Sequence, residues 1–290
     1  MFIESSLLFK TMLILSGQIA VVLATCFYCI NGARKAYKNN TSFGGMYFRG
    51  SMNMNRQLDL VPYTPVPEYY PSEMFKEVPS KYDSSKSDML TEIALNKDHR
   101  LDLIKDGYLD KNVGGYFFPV FILWLASMFL CLYFAVTGIS TSTGTIFFTI
   151  SSLLFGPLLA FIMLEIDEND GFRALKIVFF TTLITGSIGY SDIYSFSENE
   201  GLVKFLFISL LGLISFEFIK VLRGFSRKTV RRKAIFGAFS FSVFLLVDFN
   251  KIRKESDMGI NDWDTAFTLA FSIYLDIINL LLEILDAISD

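Results

Sequence analysis

A single histidine, His99, and three cysteines are all that 290 residues offer of the commonest metal-ligating and nucleophilic side chains. A catalytic or metal centre built on imidazole is therefore excluded in practice, and no nucleophile elbow, phosphate loop or zinc spacing occurs, so an enzyme is not expected. Cys26, Cys29 and Cys131 all fall in apolar stretches. They form no disulfide framework and say nothing of an oxidising compartment. Cys26-Phe-Tyr-Cys29 has CxxC spacing, but no βαβ pattern surrounds it and no His follows, so it reads as two small residues one turn apart on a helix. Charge is also scarce, at 19% of residues with a net of -3. The basic residues that exist are gathered in a few connecting segments, and no nucleic-acid partner follows from them.

What fills the chain is apolar: 52% hydrophobic residues, 16% aromatic with 31 Phe, and a mean hydropathy of +0.44. That composition describes an all-α polytopic membrane protein in contact with a lipid bilayer. Residues 7 to 30 form a first stretch of spanning length, since roughly 20 apolar residues cross a bilayer. Lys10 lies near its outer end. The opening MFIESS carries an acid where a signal peptide has a basic leader, so residues 1 to 30 are expected to be a retained anchor. Six more apolar segments follow, near residues 115 to 137, 144 to 164, 172 to 191, 202 to 222, 234 to 250 and 264 to 287. Seven spans with short connections predict a compact bundle of antiparallel neighbours, with residues 114 to 290 as its six-helix membrane domain.

Residues 31 to 113 differ in kind. Pro62, Pro65, Pro67, Pro71 and Pro79 punctuate a polar extramembrane insert containing VPYTPVPEYYP. The proline run predicts extended, polyproline-like backbone, and Asp88 to Asp106 a single surface helix capped by Ser87. So little apolar surface predicts no core of its own, and order that depends on docking to other membrane-protein subunits. Asn39 and Asn40 start sequons, which matter only on a lumenal side. Arg34, Lys35, Lys38, Arg173, Lys176 and the run Lys220 to Lys233 share one face, which the positive-inside rule makes cytosolic or matrix; Lys251, Arg253 and Lys254 oppose it but are outnumbered. The insert then lies inside and the N-terminus outside.

The last span, LAFSIYLDIINLLLEIL (Leu269 to Leu285), carries polar residues where such a helix is ordinarily apolar. Thr265, Thr268, Ser272, Asp276, Asn279 and Glu283 recur at three- or four-residue steps and so form one stripe, which must face the bundle interior. Glu283 and Asp286 are near the end of the span and read as solvated end residues. Asp276 is not explained that way, because a charge at mid-depth costs at least a few kcal/mol and marks an ion or proton path.

The preceding span ends in FSVFLLVDFNKIRK, and MGIND, Met258 to Asp262, supplies the turn. Counting from that turn brings Asp248 and Asp276 to similar depth, roughly 20 Å from the connection at 1.5 Å per residue. Two carboxylates in low dielectric do not both stay ionised, so they are expected to share a proton or hold a cation, with Ca2+ the hypothetical metal and Ser272, Asn279, Glu283 and Glu217 as candidates in support. The alternative is that each aspartate hydrogen-bonds hydroxyls and merely locks the helices. Glu217 is a candidate third carboxylate, although Lys220 one turn away offers it an ordinary ion pair. The acidic loop EIDENDG, Glu165 to Gly171, lacks the rest of an EF-hand loop and is expected to face the basic connection.

SVFLLVDFNKI followed by AFSIYLDIINLLLEIL resembles the closing two spans of the transmembrane Bax inhibitor motif family, in which an aspartate ends one helix and a Tyr-Leu-Asp-x-x-Asn run occupies the next. Weaker similarity runs through LLFGPLLAFIM, FFTTLITGSIG and LVKFLFISLLGLISF. The resemblance implies a seven-helix fold with a central last helix. It also implies a di-aspartyl centre that binds or leaks Ca2+ in a pH-dependent way, with links to apoptosis regulation. By match that centre is Asp248 and Asp276. Such proteins occur in endoplasmic reticulum, Golgi and mitochondrial membranes, so an organelle membrane is expected without choosing among them. One departure is that YFFPVFILWLASMFLCLYF carries no acid where the family's second span commonly has one. That absence and the insert keep open a second reading, a non-transporting accessory subunit of a larger assembly such as a respiratory complex or viral envelope. An intramembrane aspartyl protease also needs two aspartates on adjacent helices, but the Gly-x-Gly-Asp context is missing here.

Overall fold

The computed structural model describes residues 6–39, 41–44, 46–52, 58–63, 71–79, 87–110, 117–138, 141–166, 168–223 and 225–288. Seven helices among them are long and apolar enough to cross a membrane: α1 (Leu7–Asn39), α3 (Phe117–Thr137), α4 (Thr141–Ile166), α5 (Glu168–Tyr190), α6 (Glu200–Arg223), α7 (Arg227–Asp257) and α8 (Trp263–Ile288). Each of the seven expected spans is present, and several run past their apolar stretch into polar sequence. The outward faces of α3, α5 and α6 expose Phe129, Phe179, Leu183, Phe207 and Ile208, the kind of surface that hydrocarbon solvates.

The last helix is the middle of the bundle. In the most apolar stretch of α8, 72% of the residues are buried, against 11% in α3 and 17% in α6. α7 packs along it, and α1, α5, α4 and α3 also touch it. Tyr274, 1% exposed, meets the edge of Phe148 with ring centroids 4.8 Å apart. Where α1 crosses α4, Gly156 lies against Thr25 and the Val22 carbonyl, an approach that small residues permit in membrane helices. Pro157 follows it inside α4, so the crossing coincides with a missing backbone donor.

The turn between α7 and α8 uses Gly259 at φ +81, where a side chain would be strained. Asp262 then caps α8, accepting from the Thr265 backbone N–H at 2.7 Å and its hydroxyl at 3.0 Å. These donors, the backbone N–H first, hold the Asp262 carboxyl below the ordinary aspartate range. A depressed value means the cap's contribution is complete above that range and is lost as the pH falls through it. Asp262→Ala is therefore expected to cost about 0.5–2 kcal/mol near neutral pH and less in acid, which thermal unfolding of parent and variant across pH measures. Lys10 braces the same turn from α1. It is buried, donates to the Asn261 carbonyl at 2.7 Å and lies 5.4 Å from the Trp263 ring.

The inserted segment departs from expectation. In place of a single helix from Asp88 it holds strands β1 (Tyr47–Met52), β2 (Leu58–Tyr63), β3 (Ser72–Pro79), β4 (Ser87–Ala94) and β5 (Leu109–Asp110), with a helix α2 only over Lys97–Lys105. The cap of α2 is Asn96, not Ser87; its side chain accepts from the His99 N–H at 2.8 Å. Ser87 to Ala94 pairs antiparallel with β3 along its whole length, and such cross-strand partners outweigh the local preference for a helix. β1 and β2 pair and pack on α1 and α4, burying Met46, Phe48 and Leu60 in the main core. Met74, Ala94 and Leu103 form a small core of their own, so the segment is not without one. The polyproline expectation over 64–70 lies outside the described residues.

Candidate cation site

Asp248 on α7 and Asp276 on α8 are brought together inside the bundle, close enough for the charge of Asp248 to act on Asp276. Antiparallel packing of α7 and α8 about the Gly259 turn does this. Asp276 is 8% exposed, and Asp248 is half-buried. Ser272, one turn before Asp276, places its hydroxyl against the Asp248 carboxyl. Yet Oδ2 of each aspartate is buried with no hydrogen-bond partner. An oxygen left unpaired in a membrane interior costs about 1–3 kcal/mol. Locking by hydroxyls alone thus leaves half of this pair unsatisfied, whereas a shared proton or a bound cation satisfies both. The donor set, carboxylate and hydroxyl oxygens, suits a hard cation such as Ca2+. Asn279 continues the stripe, half-buried, one turn beyond Asp276.

Asp248 sits on a held part of α7. Two residues on, Asn250 is fully buried and accepts from the Ser197 N–H at 3.0 Å and its hydroxyl at 2.9 Å. Its amide donates to the carbonyls of Gly189 and Tyr194 at 3.1 and 3.3 Å. This one side chain pins the α5–α6 connection over the end of the helix that carries Asp248. Sequence reasoning passed over it because an Asn near a helix end usually meets water.

Glu283 and Glu217 are placed differently from expectation. Glu283 is 7% exposed, not solvated, and its Oε1 lies 2.6 Å from Lys233 Nζ. Glu217 on α6 has the expected Lys220 partner at 3.4 Å, but its shorter contact, 2.5 Å, is with the same Lys233. Asp286 pairs with Lys220 at 3.3 Å. Lys233 belonged, by sequence, to the basic connection. In the fold it is on the second turn of α7, its side chain 9% exposed, between two carboxylates.

Of the acidic run from Glu165 to Gly171, most is helical, at the end of α4 and the start of α5, and not a loop. Asp170 pairs with Arg173 at 3.1 Å, a neighbour on its own helix; position 167 lies outside the described residues. The three cysteines are free and buried. No group of three or more His, Cys, Asp or Glu among the described residues is arranged to hold a metal. A family model described as "Inhibitor of apoptosis-promoting Bax1" matches residues 98–290, from α2 to the end of the chain. No curated protein matches it.

Proposed function

The chain belongs to the family of inhibitors of apoptosis-promoting Bax1, and on that premise we propose that it is a pH-sensitive Ca2+ or cation leak of an organelle membrane. Asp248 and Asp276 are its ion and proton site, with Ser272 and Asn279 in support, and no bond-making step is involved. One observation carries the reading: two carboxylates on adjacent central helices, each with a buried and unpartnered oxygen. Protons and Ca2+ compete for the same oxygens, because a protonated pair has no charge to offer the ion. Flux therefore rises as the pH rises through the shared titration.

The test is Ca2+ flux into liposomes at several pH values for the parent, Asp248→Asn and Asp276→Asn. Asp276→Asn is expected to remove most of the flux, since the amide keeps the shape and loses the charge. Asp248→Asn is expected to change the pH dependence as well, because it removes the repulsion between the two groups. Equal, pH-independent flux in all three folded proteins sinks the leak. It would favour the accessory-subunit reading, to which Leu90, Ile93, Leu95 and Leu101, exposed on the inserted segment, lend support.

A further inference from the structure

Lys233 is a buried ammonium held by Glu283 Oε1 at 2.6 Å and Glu217 Oε1 at 2.5 Å. One positive charge thus faces two negative ones. Lys220 lies 3.4 Å from Glu217 Oε2 and 3.3 Å from Asp286, so Glu217 touches two ammonium groups, whereas the ion pair of Glu283 is with Lys233 through Oε1. Glu283 Oε2 is buried with no hydrogen-bond partner, on a residue 7% exposed. The position beside it on α7 is Gly237, where a Cβ would come within 2.5 Å of the carboxyl carbon and 2.7 and 2.8 Å of its oxygens. The bundle therefore leaves space for a carboxylate here and gives a partner to only one of its two oxygens.

We propose that Glu217 and Glu283 form a second cation site, in which the Lys233 ammonium is the tethered resident and which a divalent metal ion enters when that ammonium moves out. Oxygen ligands of Ca2+ lie at about 2.3–2.6 Å, close to the N···O distances held now, so the carboxylates need little movement to exchange one cation for the other. Lys233 has a flexible four-carbon stem, and Glu217, whose side chain is 44% exposed, marks the side on which it can leave. Along α8 the stripe Asp276, Asn279, Glu283 joins this site to the aspartate pair in two turns, about 10 Å at 1.5 Å per residue. The inference rests on the cation reading of that pair for the direction from which the ion arrives. The second site itself stands on its own geometry.

The experiment is Ca2+ titration calorimetry on the full chain in detergent, in a background of Asp248→Asn with Asp276→Asn, so that failure of the aspartate reading leaves it untouched. Lys233→Met removes the resident cation and is expected to bind one Ca2+ at least about tenfold more tightly than its Lys233 parent, because a site occupied nine-tenths of the time by an internal competitor loses that factor. Lys233→Arg is expected to match the parent, and Glu283→Gln added to Lys233→Met to abolish the gain. A folded, monodisperse Lys233→Met that gains nothing, or a gain that survives Glu283→Gln, overturns the proposal. Should Lys233→Met not fold, the unaltered protein decides: millimolar Ca2+ is expected to raise amine labelling of Lys233 several-fold, and labelling that Ca2+ leaves unchanged overturns the proposal equally.

Discussion

With Asn at both 248 and 276, the protein is expected to be more stable than the parent by about 1–3 kcal/mol and to conduct no Ca2+ across the membrane. Both carboxylates lie in the bundle interior with an oxygen unpaired, and the described residues place no cationic side chain between them as Lys233 stands between Glu217 and Glu283. Replacing them removes a desolvated pair in which the charge on one opposes ionisation of the other. Asn has nearly the volume of Asp, so no cavity opens to offset the gain. Two facing amides also donate to and accept from one another, which two carboxylates do only by sharing a proton. Thermal unfolding in detergent, followed by tryptophan fluorescence, measures the difference. A double variant that melts lower than the parent, with its fold intact, would identify the aspartates as helix-locking groups, because only then does their removal cost packing energy.

Gly156→Leu is expected to leave no monodisperse protein. A Cβ at this position falls on the Thr25 side chain and 2.7 Å from the Val22 backbone oxygen. The hydroxyl can rotate away, but the carbonyl belongs to the α1 helix and moves only if α1 does. Even Gly156→Ala should cost about 1–3 kcal/mol by overpacking, and leucine forces the helices apart along a crossing that also carries the Gln18 to Thr149 hydrogen bond. Gly212→Leu is the control. A Cβ there meets nothing within 4 Å, and its helix faces outward, so it should elute and melt like the parent. Size-exclusion profiles of the three variants against the parent make the comparison, and a normally eluting Gly156→Leu would show that this crossing is not tight.

The spans were legible because a bilayer imposes one length and one composition on every helix that crosses it, and the α8 stripe because polar residues at helical spacing contrast so sharply with Leu and Ile. Asp248 and Asp276 could be paired by counting back from a turn. Glu283 was misplaced because distance from the end of a helix is not depth: α7 starts at Arg227, well before its apolar stretch, and shields the last turns of α8. Lys233 was lost among loop charges for the same reason. The one clue was Gly237, a turn beyond Lys233 in an otherwise well-filled helix, and a glycine does not announce what fills its space. The strands of the inserted segment were hidden by their prolines and their shortness. Pro62 lies within β2, and nothing local to Leu58–Tyr63 shows that α4 is there to cover it.

The helix at the centre of the bundle is also the one the ribosome makes after the other six. At about 5–20 residues per second, residues 7 to 262 take roughly 10 to 50 seconds to emerge. Until then the faces of α1, α4 and α5 that close on α8 have nothing to meet, and Lys233 and Asp248, once made, wait roughly 1 to 10 seconds at that rate for Glu283 and Asp276. The nascent protein is thus a half-assembled ring around a vacant axis, and the cell's membrane insertion and quality-control machinery must tolerate exposed charge for that long. Late arrival makes α8 a checkpoint: a chain interrupted before Trp263 keeps all the marks of an unfinished product, and its lifetime would report on completion of this single helix.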